Sequence, residues 1–264
     1  MYMFAAIYRN SLWRYAWVSF DASTLIDFCP YHMPFPAIAP PVGATRLSEM
    51  SASSVRKALF WDRIARKYAA DPISDLEGYE TTLRRVQGLL SAQHDVLEIG
   101  CGTGSTALRL APFIRHLRAT DLSAAMIAIA REKLAAQPMP QLDFSVADAD
   151  APGFGQSAYD VALAFNLLHL VSDLDRTLAL AVQALRPGGL FISKTPCIAE
   201  MNPLIPYLAL PLMRAIGKAP HVLCLKRDGL QSAIIRHGME IVSVERHGTR
   251  GKDIRVFIVA RKLA

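Results

Sequence analysis

The stretch "VLEIGCGTGS", Val96–Ser105, decides how this chain is read. An apolar run carrying one acid meets three glycines at alternate positions, Gly100, Gly102 and Gly104. Glycine takes positive φ and lets backbone approach a ligand closely, so a strand entering such a loop and leaving as a helix is a nucleotide-binding turn. A dinucleotide fingerprint would read G-x-G-x-x-G. Here the third glycine comes one residue early and Glu98 precedes the loop, giving E-x-G-x-G-x-G. An acid at that point repels a pyrophosphate and suits a cationic ligand with an amino group.

Outward from the loop, strand and helix patterns alternate. "HDVLEIG" predicts a buried strand, "TGSTALRLAPFI" a helix, "LRATDL" a strand, and "SAAMIAIAREKLAA" a helix capped by Ser123. "LDFSVADA" and the opening of "YDVALAFNLLHLV" predict strands, and "DLDRTLALAVQAL" a helix. "RPGG" reads as a turn, "LFISKTP" as a strand, and "RDGLQSAIIRHGM" as a helix ended by Gly238. "EIVSVERHG" and "IRVFIVARK" can pair as a hairpin. Two helical patterns, Val55–Tyr68 and Tyr79–Leu90, precede the first strand. The expected fold class is α/β: a Rossmann-like, doubly wound, mostly parallel seven-stranded sheet with a C-terminal antiparallel hairpin. Its ligand belongs beyond the carboxyl ends of the strands.

The motif E-x-G-x-G-x-G, with its linked partners below, resembles the first motif of the class I S-adenosylmethionine-dependent methyltransferases, over about Val55 to Lys262. The resemblance implies S-adenosyl-L-methionine as cofactor. Gly100 and Gly102, with Cys101 between them, would pack under its methionine portion, and Glu98 would organise the loop or act through water. In "ATDLS", Asp121 stands 17 residues after Gly104. A carboxylate there can accept hydrogen bonds from both ribose hydroxyls, a device that NAD enzymes share. Leu122 and Met126 would flank the adenine. In "VADAD", Asp148 would accept the adenine amino group and the Ala149 N–H would meet a ring nitrogen, with Asp150 a rival by register. Asp160 reads as structural, and Asn166 would face the methionine part or the substrate.

"N-x-L-H", Asn166–His169, resembles the methyltransferase type 11, ubiquinone and menaquinone methyltransferase-like, subgroup. His169 is read as a general base or substrate contact, or as a structural histidine. Pro187-Gly188-Gly189 resembles the family's turn before the fifth strand. "FWDRIARKYAADPI", Phe60–Ile73, resembles the segment that covers the cofactor, with Tyr68 and Trp61 closing over it, or else is an amphipathic core helix.

The implied reaction is in-line transfer of the cofactor's methyl group to a small acceptor, a step that needs alignment and exclusion of water rather than a metal. The segment Pro196–Gly229, rich in Leu, Ile, Pro and Met, is expected to be the lid and points to a lipophilic or aromatic acceptor, or packs on the core or on a second subunit. The alternatives are a cofactor-binding or regulatory subunit without turnover, an RNA methyltransferase using Cys197, and an NAD-dependent oxidoreductase, which the glycine spacing disfavours.

Composition bounds the rest. The chain has 264 residues with net charge +6, and no dense Lys/Arg stripe of the kind nucleic-acid binders carry, so no nucleic-acid partner is expected. Its four cysteines, Cys29, Cys101, Cys197 and Cys224, form no CxxC pair, so no zinc site or disulfide framework is expected and the compartment reads as the cytoplasm. Neither Met3–Ile26 nor Cys197–Ile216 is a clean apolar run of about 20 residues. That leaves peripheral membrane contact open, with a monomer or homodimer expected. Residues 1–49, rich in aromatics and Pro and without sustained periodicity, read as an extension, either upstream of a natural start at Met50 or a targeting segment; the domain proper is expected over 50–264.

Overall fold

The computed structural model describes residues 51–201, 203–215, 219–249 and 254–264. The expected extension, residues 1–49, lies outside the described residues, as does Met50.

Seven strands form one sheet: β1 Asp95–Ile99, β2 His116–Asp121, β3 Leu142–Val146, β4 Tyr159–Phe165, β5 Leu185–Pro196, β6 Met239–Glu245 and β7 Arg255–Lys262. Their order is β3-β2-β1-β4-β5-β7-β6. The first five run parallel, and β7 lies antiparallel to both β5 and β6. β1 is central, with Leu97 beside Arg118 on β2 and Ala162 on β4. The chain leaves β1 toward β2 on one side and reaches β4 on the other, so a crevice opens between the carboxyl ends of β1 and β4.

A parallel strand buried on both faces needs a near-continuous apolar sequence. From Val96 to Ile99, beyond the half-buried Asp95 at its entry, β1 meets this requirement at every position but one. Val96 packs with Leu117, Phe144 and Ile127 on one face, and Leu97 and Ile99 pack with Leu168, Leu178 and Ile234 on the other. The exception is Glu98, at 2% exposure. The first face is covered by α2 Leu76–Gln87, α3 Ser105–Leu110 and α4 Ala124–Ala136; the second by α5 Leu174–Ala184 and α7 Arg227–Arg236.

Helix boundaries follow local chemistry. The Ser123 hydroxyl accepts the Met126 N–H at 3.1 Å, the expected N-cap of α4. Asp173 caps α5 in the same way, accepting from Arg176 N–H at 3.0 Å. The helix expected from Thr103 to Ile114 is shorter: α3 ends at Leu110 and a 3₁₀ turn, Ala111–Phe113, carries Pro112, which has no N–H to continue the ladder. "RPGG" lies inside the residue range of β5. Tyr159 pairs with Leu185 and Val161 with Leu190, so residues 186–189 bulge opposite Asp160, with Gly188 at φ +76°.

α1, Ala52–Ala70, crosses above this core and packs Ala65, Trp61 and Tyr68 on Met126 and Ile129 of α4. The expected lid holds a 3₁₀ turn Ile198–Glu200, a π-helical turn Ile205–Ala209 that runs into α6 Leu210–Ala215, and an extended stretch that ends at α7. No described helix is long and apolar enough to cross a membrane.

Candidate active site

A cleft, open to solvent on one side, lies over the carboxyl ends of β1, β2 and β4. The wall brings together Tyr68, Glu98, Gly100, Cys101, Gly102, Asp121, Leu122, Met126, Asp148, Ala149 and Asn166, the whole expected cofactor set, and Trp61 with them.

The loop is built by backbone constraint. Gly100, Gly102 and Gly104 all take positive φ, at +74°, +55° and +74°. At Gly100 a side-chain carbon would stand 2.7 Å from Leu167, and at Gly104 it would stand 2.6 Å from Phe144 and 2.8 Å from Ala130. Gly102 differs. A carbon there would meet nothing closer than Tyr68 at 4.0 Å, so the bare backbone at Gly102 faces the open cleft.

Asp121 holds that loop to β2. Its Oδ2 accepts the Gly102 N–H and its Oδ1 accepts the Ser123 N–H, both at 2.9 Å. Burial raises its pKa above the ordinary carboxylate range, against the pull of these N–H groups. Each oxygen keeps a lone pair for a further donor. Lys133 of α4 completes the support: its ammonium donates to Thr103 O at 2.9 Å, Thr103 Oγ1 at 3.1 Å and Ser105 Oγ at 3.0 Å.

Glu98 is the electrostatic anomaly. Burial, and then the negative charge of Asp121, push its pKa up to about 8. Its Oε2 has no hydrogen-bond partner. A buried carboxyl with an idle oxygen on a cleft wall asks for a donor from the cleft, and a cation would suit it best.

Asp148 lines the cleft and its Oδ1 accepts the Asp150 N–H at 3.0 Å. Asp150 turns away, accepting Lys57 Nζ at 3.0 Å, the Ser172 N–H at 2.7 Å and Thr177 Oγ1 at 2.7 Å. Asp160 is tied to the Asp95 N–H at 2.8 Å and to Arg186 at 2.6 Å, the structural part expected of it. Asn166 sits at φ +52°, a conformation Asn tolerates better than most side chains, with its N–H on Lys194 O at 2.8 Å.

The structure does not bring His169 to the cleft. The turn after β4 gives Leu167, Leu170 and Val171 to the wall and sends His169 inward at 1% exposure. Both ring nitrogens lack hydrogen-bond partners, and burial pushes the imidazole pKa down to about 3, so the ring is neutral. Its carbonyl accepts the Leu223 N–H at 2.7 Å and so anchors the lid stretch. Cys197 is fully buried, with its thiol pushed up to about 12 by burial, the opposite of what a nucleophile needs.

Sequence reasoning missed Lys57, Thr106, Phe165, Leu167, Leu170 and Val171 on the wall. It also missed Asp62, whose Oδ1 accepts Ser123 Oγ at 2.5 Å and the Ala125 N–H at 3.0 Å. Asp62 and the Lys57–Asp150 pair dock α1 over the cleft. Asp62 lies inside the quoted helix "FWDRIARK", which marks the acid but not the α4 terminus it meets.

Fold and sequence match together point to the class I S-adenosylmethionine-dependent methyltransferases. Residues 96–189 match the family described as "Methyltransferase domain", and the chain carries such a domain, with S-adenosylmethionine as the cofactor of its class. The chain is similar to the O-methyltransferase cnsE of Penicillium expansum, 26% identical over 70% of this chain and 65% of that protein. It is 33% identical to the iterative polyketide synthase afoE of Emericella nidulans over 44% of this chain, and so spans only 4% of that synthase. Among solved structures, a geranyl diphosphate methyltransferase in complex with GPP and sinefungin superposes with a TM-score of 0.63 at 14% identity, covering 81% of this chain and 99% of that one.

Proposed function

We propose that this chain transfers the methyl group of S-adenosylmethionine to a small lipophilic or aromatic acceptor. One observation carries the reading: a single cleft joins a polar, backbone-rich wall (Glu98, Gly102, Asp121, Asp148) to an apolar one (Phe165, Leu167, Leu170, Val171). When bound, the cofactor supplies a methyl group already activated by a sulfonium charge. The residues present fit it: Glu98 offers an idle acceptor, Gly102 offers open space over bare backbone, and Asp121 offers spare lone pairs on an oriented carboxylate. Glu98, Gly100, Cys101 and Gly102 would hold the methionine portion, Asp121 the ribose, and Leu122, Met126, Asp148 and Ala149 the adenine. Asn166 would face the transfer region, and Tyr68 and Trp61 would close the roof.

The protein's own work is then orientation and exclusion of water, worth roughly 7–11 kcal/mol in favourable cases. α1 roofs the cleft with aromatic side chains, Trp61 lying edge-on to Tyr68 at 6.4 Å between ring centroids. The apolar wall holds an acceptor by shape and hydrophobic contact rather than by charge. An acceptor carrying its own nucleophile in reactive form needs no enzymic base. The O-methyltransferase and the geranyl diphosphate methyltransferase are consistent with that acceptor class. The described cysteines, Cys101, Cys197 and Cys224, are free thiols, which supports the cytoplasm as the setting.

Calorimetry of the full chain with S-adenosylmethionine and, separately, NAD is the first test, followed by methylation of a panel of phenolic and isoprenoid acceptors. Binding of the former alone with turnover supports the proposal; NAD binding, or no binding, overturns it. A second reading, a cofactor-binding subunit without turnover, is favoured by the burial of His169 away from the cleft. Tight binding with no methylated product across the panel would select it.

A further inference from the structure

The lid carries its apolar stripe on the wrong side. In the helical stretch 204–215, Leu204, Tyr207, Leu208, Pro211 and Leu212 recur at i, i+3, i+4, i+7 and i+8, the pattern of a face meant for burial. Yet Leu204 is 53% exposed, Tyr207 79%, Leu208 64% and Leu212 62%. The opposite side is already packed, with Ile205 and Leu210 buried against Ile198, Met201 and Val222. The segment is therefore apolar on both sides, and among the described residues Tyr207, Leu208 and Leu212 stay exposed on the second.

Charge narrows what covers the other side. From Met201 to Lys226 the sequence holds no Asp or Glu, and it holds Arg214, Lys218 and Lys226, while Arg227 just beyond is paired with Asp228 at 3.0 Å. Arg214 and Lys226 are exposed. A second copy of this face would bring the same positive charges together. Residues 1–49 carry three arginines and three acids and offer no net complement. An anionic bilayer complements both the apolar stripe and its basic rim.

The segment is linked to the cleft through its packed side, where Val222 meets Ile205 and Leu210. His221, just beyond this stretch, is held below the usual imidazole range by partial burial and by the positive charges of Arg214 and of Lys57, a cleft residue. Leu223 bonds to the turn that supplies Leu170 and Val171 to the wall.

We propose that the face formed by Tyr207, Leu208 and Leu212, with the exposed Arg214 of the same helix, seats this protein on an anionic lipid surface, so that a lipophilic acceptor enters the cleft from the bilayer. The part about the acceptor rests on the proposed function; the seating does not.

The test is flotation of the full chain with vesicles of phosphatidylcholine alone and of phosphatidylcholine with phosphatidylglycerol. Binding is expected to the anionic vesicles, weakening with salt. Leu208→Ser/Leu212→Ser lowers it roughly tenfold or more, through loss of apolar burial. Arg214→Gln lowers it roughly fivefold, the worth of one basic residue near the surface. Tyr207→Trp, at the most exposed position of the stripe, should show a blue-shifted emission quenched by brominated lipid. This readout stands even if the double variant folds poorly.

No binding to anionic vesicles at low salt would overturn the proposal. So would equal binding by wild type and Leu208→Ser/Leu212→Ser with native circular dichroism, or a dimer that those serines dissociate. Lipid-free calorimetry with S-adenosylmethionine separates the two readings. Cofactor binding without flotation removes the lipid surface alone; flotation without cofactor binding removes the methyl-transfer reading alone.

Discussion

The two walls of the cleft are built on opposite principles. On the glycine-loop side nearly every contact runs through backbone: Asp121 grips two main-chain N–H groups, Lys133 grips a main-chain carbonyl, and Gly102 presents bare backbone. On the other side the wall is made of apolar side chains, Phe165, Leu167, Leu170 and Val171 from the end of β4 and the turn after it, while the stretch expected as a lid gives no described residue to the cleft and is tied to that turn through Leu223. The first wall is rigid because hydrogen bonds to main chain fix positions to fractions of an ångström. The second can vary, because apolar packing tolerates substitution of similar volume. A fold that keeps one wall and changes the other can serve many acceptors with one cofactor.

The comparison breaks first at Asp121. Asp121→Ala removes the grip on Gly102 and Ser123 and the acceptor proposed for ribose. Two or more charge-assisted hydrogen bonds at about 1.5–3 kcal/mol each predict a loss of cofactor affinity of roughly 10²–10⁴-fold. Calorimetry with S-adenosylmethionine measures it, and affinity within a few-fold of wild type would mean that the backbone wall is not the cofactor wall.

Glu98 gives the next largest effect, and its sign follows from linkage. The folded pKa, about 8, lies above the ordinary value of 4.5. Between those pH values the folded chain holds a proton that the unfolded chain has released. The stabilisation is thus complete below pH 4.5 and is lost as pH rises through 8, roughly 5 kcal/mol in all. Glu98→Gln should flatten this part of the stability profile, read by urea unfolding at successive pH values. Binding of a cation at Glu98 should also release a proton near pH 7. Calorimetry in buffers of different ionisation enthalpy would show the release in wild type and not in Glu98→Gln.

Gly104→Ala sharpens the comparison from within the rigid wall. The added carbon meets Phe144 and Ala130 at under 3 Å and sits at φ +74°. Strain and overpacking together predict a loss of about 2–4 kcal/mol, visible as a lower Tm. An unchanged Tm would mean that the loop is softer than its geometry implies.

What the sequence made legible follows the same divide. The strands, the glycine loop and Asp121 were readable because backbone needs leave local marks: alternate glycines, an acid at a strand end, Ser123 before a helix. The sequence favoured Asp148 over Asp150 but did not show why, since both acids stand at a strand exit and the groups that hold Asp150 lie far along the chain: Lys57, 93 residues upstream, with Ser172 and Thr177 downstream. Asp62 was missed for a like reason, its partners lying 61 and 63 residues on. The acid was visible within its helix; the α4 terminus it meets was not. "RPGG" kept its bend but joined a strand, because β4 pairs with the chain on both sides of it.

His169 gives the smallest effect and the most pointed test. A motif places it beside Asn166, where a general base would be sought, while the structure buries it neutral with two idle nitrogens. A buried polar ring without partners costs stability, and an apolar residue of similar size removes that cost. His169→Leu should leave Tm unchanged or raised, by an equivalent of about 1 kcal/mol, with cofactor affinity and turnover within about twofold of wild type. A catalytic base would behave otherwise, losing roughly 10²–10⁴-fold in turnover at unchanged cofactor affinity. That outcome would require the turn after β4 to open during the reaction and carry His169 to the cleft. The Leu223 hydrogen bond to its carbonyl would then have to break, and the lid would move with it.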